Sequence, residues 1–317
     1  MLAGKLNLVF GAVTLCIVLP LMLGLKLPQG FDLAFLLVSL TLTGIPHGAI
    51  DHVIYESKLQ QKLRPKQLFI RFFLPYIAIL SLTFLLWIIL PEVAFWLFLL
   101  ISAYHFGQSQ LYHIQLPESH PIKWIIYTAW GGIVLAWLWL LNWDAQVPMF
   151  QSLFNWDFSK GGVVFSAVRF SLAVCLGVVL VLFCFLGVRK LAERALLLQE
   201  AAVLVLLYFL IREASMYLAF AIYFGLWHAL RVIITEYQYL KLQNQLPVSV
   251  FSFIKAFLPF SFISFAGIGL LLWVSQLLAS YVSPFMLFLI FISALTTPHA
   301  LVMRQMYGLL SKKKAVV

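Results

Sequence analysis

The chain has 317 residues, of which 63% are apolar and only 10% charged, with 21 Lys and Arg against 11 Asp and Glu; its mean hydropathy is +1.01. Soluble domains carry about a quarter charged residues, so secreted, nucleic-acid-binding and disordered classes are excluded. A helix that crosses a bilayer needs about 20 mostly apolar residues, so this length holds roughly eight to eleven spans and no separate soluble domain.

In chain order, ten candidate helices stand at about 6–25, 32–50, 68–90, 92–113, 121–142, 163–187, 194–212, 215–235, 252–279 and 284–309. The first is too long for a signal-peptide core, and no small-residue cleavage site precedes Lys26-Leu27-Pro28-Gln29-Gly30, so a retained span is expected. Prolines punctuate the rest: Pro28 follows the first helix, Pro91 divides the third from the fourth, Pro121 opens the fifth and Pro284 the last. After the fifth, Trp143, Phe150, Phe154, Trp156 and Phe158 lie among polar residues, which suits an interfacial cover over a lipid-side portal or an ordinary aromatic belt. Cys16, Cys175 and Cys184 sit inside apolar runs as small hydrophobes and imply no disulfides. With no repeat of fixed period, residues 1–317 read as one integral membrane domain.

Assigning each Lys and Arg to the nearer helix end puts seventeen of the 21 on one side and leaves Lys26, Lys160, Arg169 and Arg212 on the other. The positive-inside rule then places both termini in the cytoplasm, and an even number of helices agrees. The expected fold class is therefore all-α, a polytopic transmembrane helix bundle of about ten spans. Its net charge of +10 records orientation and needs no nucleic acid partner.

Polar residues inside membrane helices are costly and mark candidate sites. Four of the seven histidines share a depth: His47 and His299 lie about 15 residues into the second and tenth helices, His105 and His228 about 13 into the fourth and eighth. At 1.5 Å per residue these depths agree to within roughly a turn, and all four helices run from outside to inside. Four imidazoles in one layer form either a hydrogen-bonded packing cluster or a metal site built from inward-facing side chains. Asp51, four residues after His47, is placed to accept a hydrogen bond from its ring, and His52 is a further candidate for a supporting or direct metal role. Arg231 and Glu236, beyond His228 towards the cytoplasmic edge, read as helix anchors or as groups that orient a ligand.

At these residues the sequence resembles the Brp/Blh family of bacterial and archaeal β-carotene 15,15′-dioxygenases. The resemblance rests on Pro46-His47-Gly48-Ala49-Ile50-Asp51, His105-Phe106-Gly107, Tyr223-Phe224-Gly225-Leu226-Trp227-His228 and Pro298-His299, in that order over nearly the whole membrane domain. It implies an enzyme of the cell (inner) membrane that binds iron(II), Fe(2+), through histidines, uses O2, and splits β-carotene at its central double bond into two retinals. It also implies the lipid bilayer as surroundings and hand-over of retinal to a microbial rhodopsin. By position, His47, His105 and His228 match the family's metal-site histidines. Some members place a second histidine one turn after the last of these, where this chain has Val232. His299 or His52 then supplies a fourth ligand, or the site has three; the matching depth favours His299.

Two rival functions use the same histidines. A haem or quinone redox protein takes them as axial ligands, and a transporter takes them as proton relays. Repeated halves and membrane carboxylates would favour the transporter, and this chain shows little of either apart from Glu200.

Overall fold

The structure is a computed structural model that describes residues 2–114, 116, 120–151, 154, 156–243, 249–277 and 284–314. The described residues form ten long helical segments and one short helix, with no strand among them. In chain order these are α1 (Leu2–Met22), α2 (Phe31–Leu59), α3 (Pro65–Ile89), α4 (Pro91–Leu111), α5 (Pro121–Leu140), the short α6 (Trp143–Gln151), α7 (Val163–Val188), α8 (Arg194–Glu213), α9 (Met216–Leu242), α10 (Val250–Leu277) and α11 (Pro284–Lys314). The ten long segments overlap the ten expected, but α2 runs on to Leu59 and α9 to Leu242, beyond the expected ends near 50 and 235, and residues 278 and 279 of the ninth lie outside the described residues. Eight of them, all but α4 and α11, have the length and apolarity of a membrane-crossing helix within the described residues. The protein is an all-α, multi-pass membrane bundle.

Side-chain pairings fix the helix directions. Asp51 meets His299 and Lys58 meets Gln305, so α2 and α11 run parallel. His105 meets His299 and Tyr112 meets Tyr307, so α4 runs with them. Against α5 the order reverses: a Cβ on Gly107 would lie 1.9 Å from the Tyr127 carbonyl oxygen, and one on Gly131 would lie 2.0 Å from that of Ala103. Glycine at both positions lets the backbones of α4 and α5 touch, the usual packing device between helices in lipid. Asn7 near the start of α1 bonds Gln110 near the end of α4, whose neighbour Tyr112 packs on Tyr307 near the end of α11. The start of α1 and the end of α11 therefore share one end of the bundle.

Burial separates centre from rim. Two-thirds of the α9 span (67%) is buried, against 11% of the α3 and α10 spans, so α9 forms the axis and the other two face lipid along most of their length. The aromatic run after α5 turns inward. Trp143, Phe150, Phe154 and Phe158 are buried in one cluster with Phe95 and Trp139, and the Trp143 ring nitrogen donates to the Phe158 carbonyl at 3.0 Å. These rings pack on α4 and α5 because their own contacts exclude both water and lipid.

Two of the four helices that carry the aligned histidines depart from α geometry near them, and a third carries a proline there. In α2, a π turn over Leu40–Gly44 is followed by a 3-10 turn over Pro46–Gly48, where Pro46 lacks the N–H that a continuous helix would use. In α9, Tyr223–Leu230 is a π segment that contains His228. In α11, Pro298 inside the helix immediately precedes His299. Such interruptions turn backbone carbonyls and side chains away from their helical positions and occur frequently at functional sites.

Candidate metal centre

Gly107 and Ala103 turn one face of α4 to α5, which leaves His105 and Ser109 on the opposite face, towards the bundle axis. There His105 meets His228 from the π segment of α9 at 4.7 Å between ring centroids, and His299 of α11 at 5.0 Å. His47, carried inward by the 3-10 turn of α2, completes the set at 5.3 Å from His228 and 4.8 Å from His299. The four rings form a closed circuit, each roughly perpendicular to the next. One nitrogen from each of His47, His105 and His228 lies within 4.8 Å of the others, close enough to share a metal ion.

Hydrogen bonds choose which nitrogen faces the centre. The His47 Nδ1 donates to the Gly44 carbonyl. The His228 Nδ1 donates to Ser109 Oγ at 3.1 Å, while that hydroxyl donates to the Phe106 carbonyl at 2.8 Å. The His299 Nδ1 donates to Asp51 Oδ1 at 2.9 Å, and the Tyr76 hydroxyl donates to Asp51 Oδ2 at 3.2 Å. A proton held on Nδ1 leaves the lone pair on Nε2, the arrangement in which outer partners orient a metal-binding imidazole.

The Nε2 atoms of His228 and His299 and both ring nitrogens of His105 are buried without a hydrogen-bond partner. These three residues are at most 4% exposed, so bulk water does not satisfy them. An unpartnered buried acceptor costs about 1–3 kcal/mol, and a shared cation would remove that cost at several atoms together. An all-nitrogen donor set suits zinc, copper or iron in preference to magnesium or calcium. The residues present therefore fit a bound transition metal.

Two expected contacts differ. Asp51 does not pair with His47; it reaches His299 on another helix. The reason is the 3-10 turn at Pro46–Gly48, where three residues make a turn, so a residue four positions on no longer stacks over His47. His52 stands outside the ring circuit and packs on Phe260 at 4.4 Å and Phe73 at 6.1 Å. The supports Ser109 and Tyr76 were missed by sequence reasoning, although Ser109 lies one turn beyond His105 in the polar run Gln108-Ser109-Gln110.

An apolar cavity of about 350 Å³ adjoins the histidines on the side of His47 and His299. Phe72, Phe73, Phe224, Phe260 and Phe291 line it, with His52 in its wall. The polar residues expected at the membrane edge are also buried. Arg231 donates to Asn7 Oδ1 at 2.6 Å, and Glu200 accepts from Asn7 at 2.8 Å and from Gln110 at 2.7 Å, so four helices are joined one turn beyond the centre.

Four histidine rings, three of them buried, beside an apolar cavity in a multi-pass helical bundle define a membrane protein whose nitrogen donors fit a transition metal next to space for a lipid-soluble molecule. The family model described as beta-carotene 15,15′-dioxygenase matches residues 38–307, and the chain belongs to that family. That stretch contains all four histidines, Asp51 and Ser109. The beta-carotene 15,15′-dioxygenase of an uncultured marine bacterium, 66A03, is 31% identical over 139 residues, which is 42% of this chain and 47% of that relative. The alignment thus spans about half of the relative's length. No solved structure matches the chain.

Proposed function

We propose that this chain cleaves β-carotene at its central 15,15′ double bond with O2, giving two all-trans retinals, at an iron(II) ion held by His47, His105, His228 and His299. The observation that carries this reading is the set of buried, unpartnered nitrogens of His105, His228 and His299 converging beside the apolar cavity. Family membership supplies the substrate and the bond. When bound, iron(II) supplies activation of O2 beside an alkene that need not ligate the metal.

The reaction breaks the central C=C bond and the O=O bond and forms two C=O bonds, so it consumes no proton and no external electron. What remains for the protein is to orient and to exclude water. Phe72, Phe73, Phe224, Phe260 and Phe291 provide an apolar wall for a polyene that carries no polar handle. Gly44, Ser109 and Asp51 hold three imidazoles with Nε2 free. Because the cavity lies at membrane depth, substrate enters sideways from lipid and retinal returns to it, available to a microbial rhodopsin. The same reading treats residues 1–317 as one catalytic domain in the cell inner membrane with both termini in the cytoplasm.

The test is expression in cells that produce β-carotene, followed by chromatography of carotene and retinal. Loss of colour with two retinals formed per carotene consumed is the expected result. Unchanged carotene beside folded, iron-loaded protein would reject the substrate.

A further inference from the structure

Four neutral imidazoles bring no charge to a divalent cation, and a cation buried at membrane depth without compensating charge is strongly disfavoured. Asp51, bonded to His299, accounts for one negative charge. A second carboxyl lies on α9. Glu236 is fully buried, and neither of its carboxylate oxygens has a hydrogen-bond partner. It follows Val232 by one turn and precedes Tyr239 by another, on the α9 face packed against Ile50 and Ile54 of α2 and Met303 of α11. Ile50 adjoins Asp51, and Met303 is one turn beyond His299, so this face borders the histidine layer from the cytoplasmic end. Helical side chains lean towards the helix N-terminus, which on α9 is the direction of the histidines. The Arg231 guanidinium is directed instead to Asn7 and the rings of Phe10 and Trp227. An unpaired carboxyl in this position has no evident use in packing.

We propose that Glu236 is the second counter-charge of the metal centre: a positioning residue that touches no ligand and strengthens divalent-metal binding by balancing the charge that the histidines and Asp51 leave over. The inference rests on the metal-centre reading above. It gives Glu236→Gln two opposite effects. The amide keeps the shape and removes only the ionisable group, so the metal-free protein should be as stable as wild type or more so, while metal affinity falls.

The experiment titrates the full-length, metal-free protein in lipid nanodiscs with cobalt(II), following its visible absorption bands, and measures thermal unfolding of each metal-free sample. For Glu236→Gln the expected result is affinity about 10–100-fold weaker, with an unchanged cobalt spectrum and an unfolding temperature no lower than that of wild type. Glu236→Asp, which keeps the charge, should recover part of the affinity. Equal affinity in wild type and Glu236→Gln would overturn the proposal, and so would a loss of affinity matched by loss of metal-free stability. If wild type itself binds no cobalt(II), the metal-centre reading fails and this inference fails with it.

Discussion

A neutral imidazole binds a metal through the nitrogen that carries no proton, and at His47, His228 and His299 a partner on Nδ1 makes that choice. Asp51 is the strongest of the three partners because it is charged and is itself held by Tyr76. Asp51→Asn keeps the shape but removes the charge and allows an N–H to face the ring. Divalent-metal affinity should fall about 10–100-fold with the fold retained, read by metal titration beside far-ultraviolet circular dichroism. An unchanged affinity would mean that His299 is oriented by packing alone. The four histidines were legible in the sequence because depth along a helix is a simple count once the helix starts are known. The Asp51 partner was not, since its direction depends on a 3-10 turn that shifts side chains by less than the error of any periodicity argument.

At the scale of the element, α4 is α-helical throughout while α2 and α9 carry π or 3-10 turns near their histidines, and the packing of α4 accounts for the difference. Its Gly107 and the Gly131 of α5 allow direct backbone contact, which holds His105 and Ser109 on the inward face without any bend. A methyl on Gly107 would overlap the Tyr127 carbonyl, and no flexible side chain is available to yield. Gly107→Ala should therefore destabilise the bundle by about 3 kcal/mol and weaken metal binding, since His105 moves with its helix. Gly177 of α7 has nothing within 4 Å of an added methyl, and Gly177→Ala should be neutral or slightly stabilising. Thermal unfolding of the two variants in detergent checks both outcomes. The existence of the ten long helices was plain from hydropathy, because twenty apolar residues in a row leave few alternatives. Their interruptions were hidden: Pro46 is visible, but nothing in Tyr223–Leu230 announces a π segment.

Taken whole, the molecule places a charged network, Arg231 with Asn7, Gln110 and Glu200, at the end of the bundle where α1 begins and α4 ends. Charge counting reads Arg231 and Lys123 as edge residues, and both are fully buried against neighbouring helices and not exposed at the rim. The remaining bias still predicts the orientation. In a protein whose native cysteines are replaced, a cysteine at the exposed Lys160 should react with an impermeant maleimide added outside intact spheroplasts, and one at the exposed Lys66 only after lysis. The reverse pattern would invert the topology.

The central claim is that four helices bring four histidines to a single metal. It is tested most directly by the iron content of purified chains loaded anaerobically with iron(II), comparing wild type with His47→Ala, His105→Ala, His228→Ala, His299→Ala and His52→Ala. One iron per chain is expected in wild type and in His52→Ala, and little or none in the other four. Full iron retention in His299→Ala would contradict that claim, and loss in His52→Ala would name the residue that replaces His299.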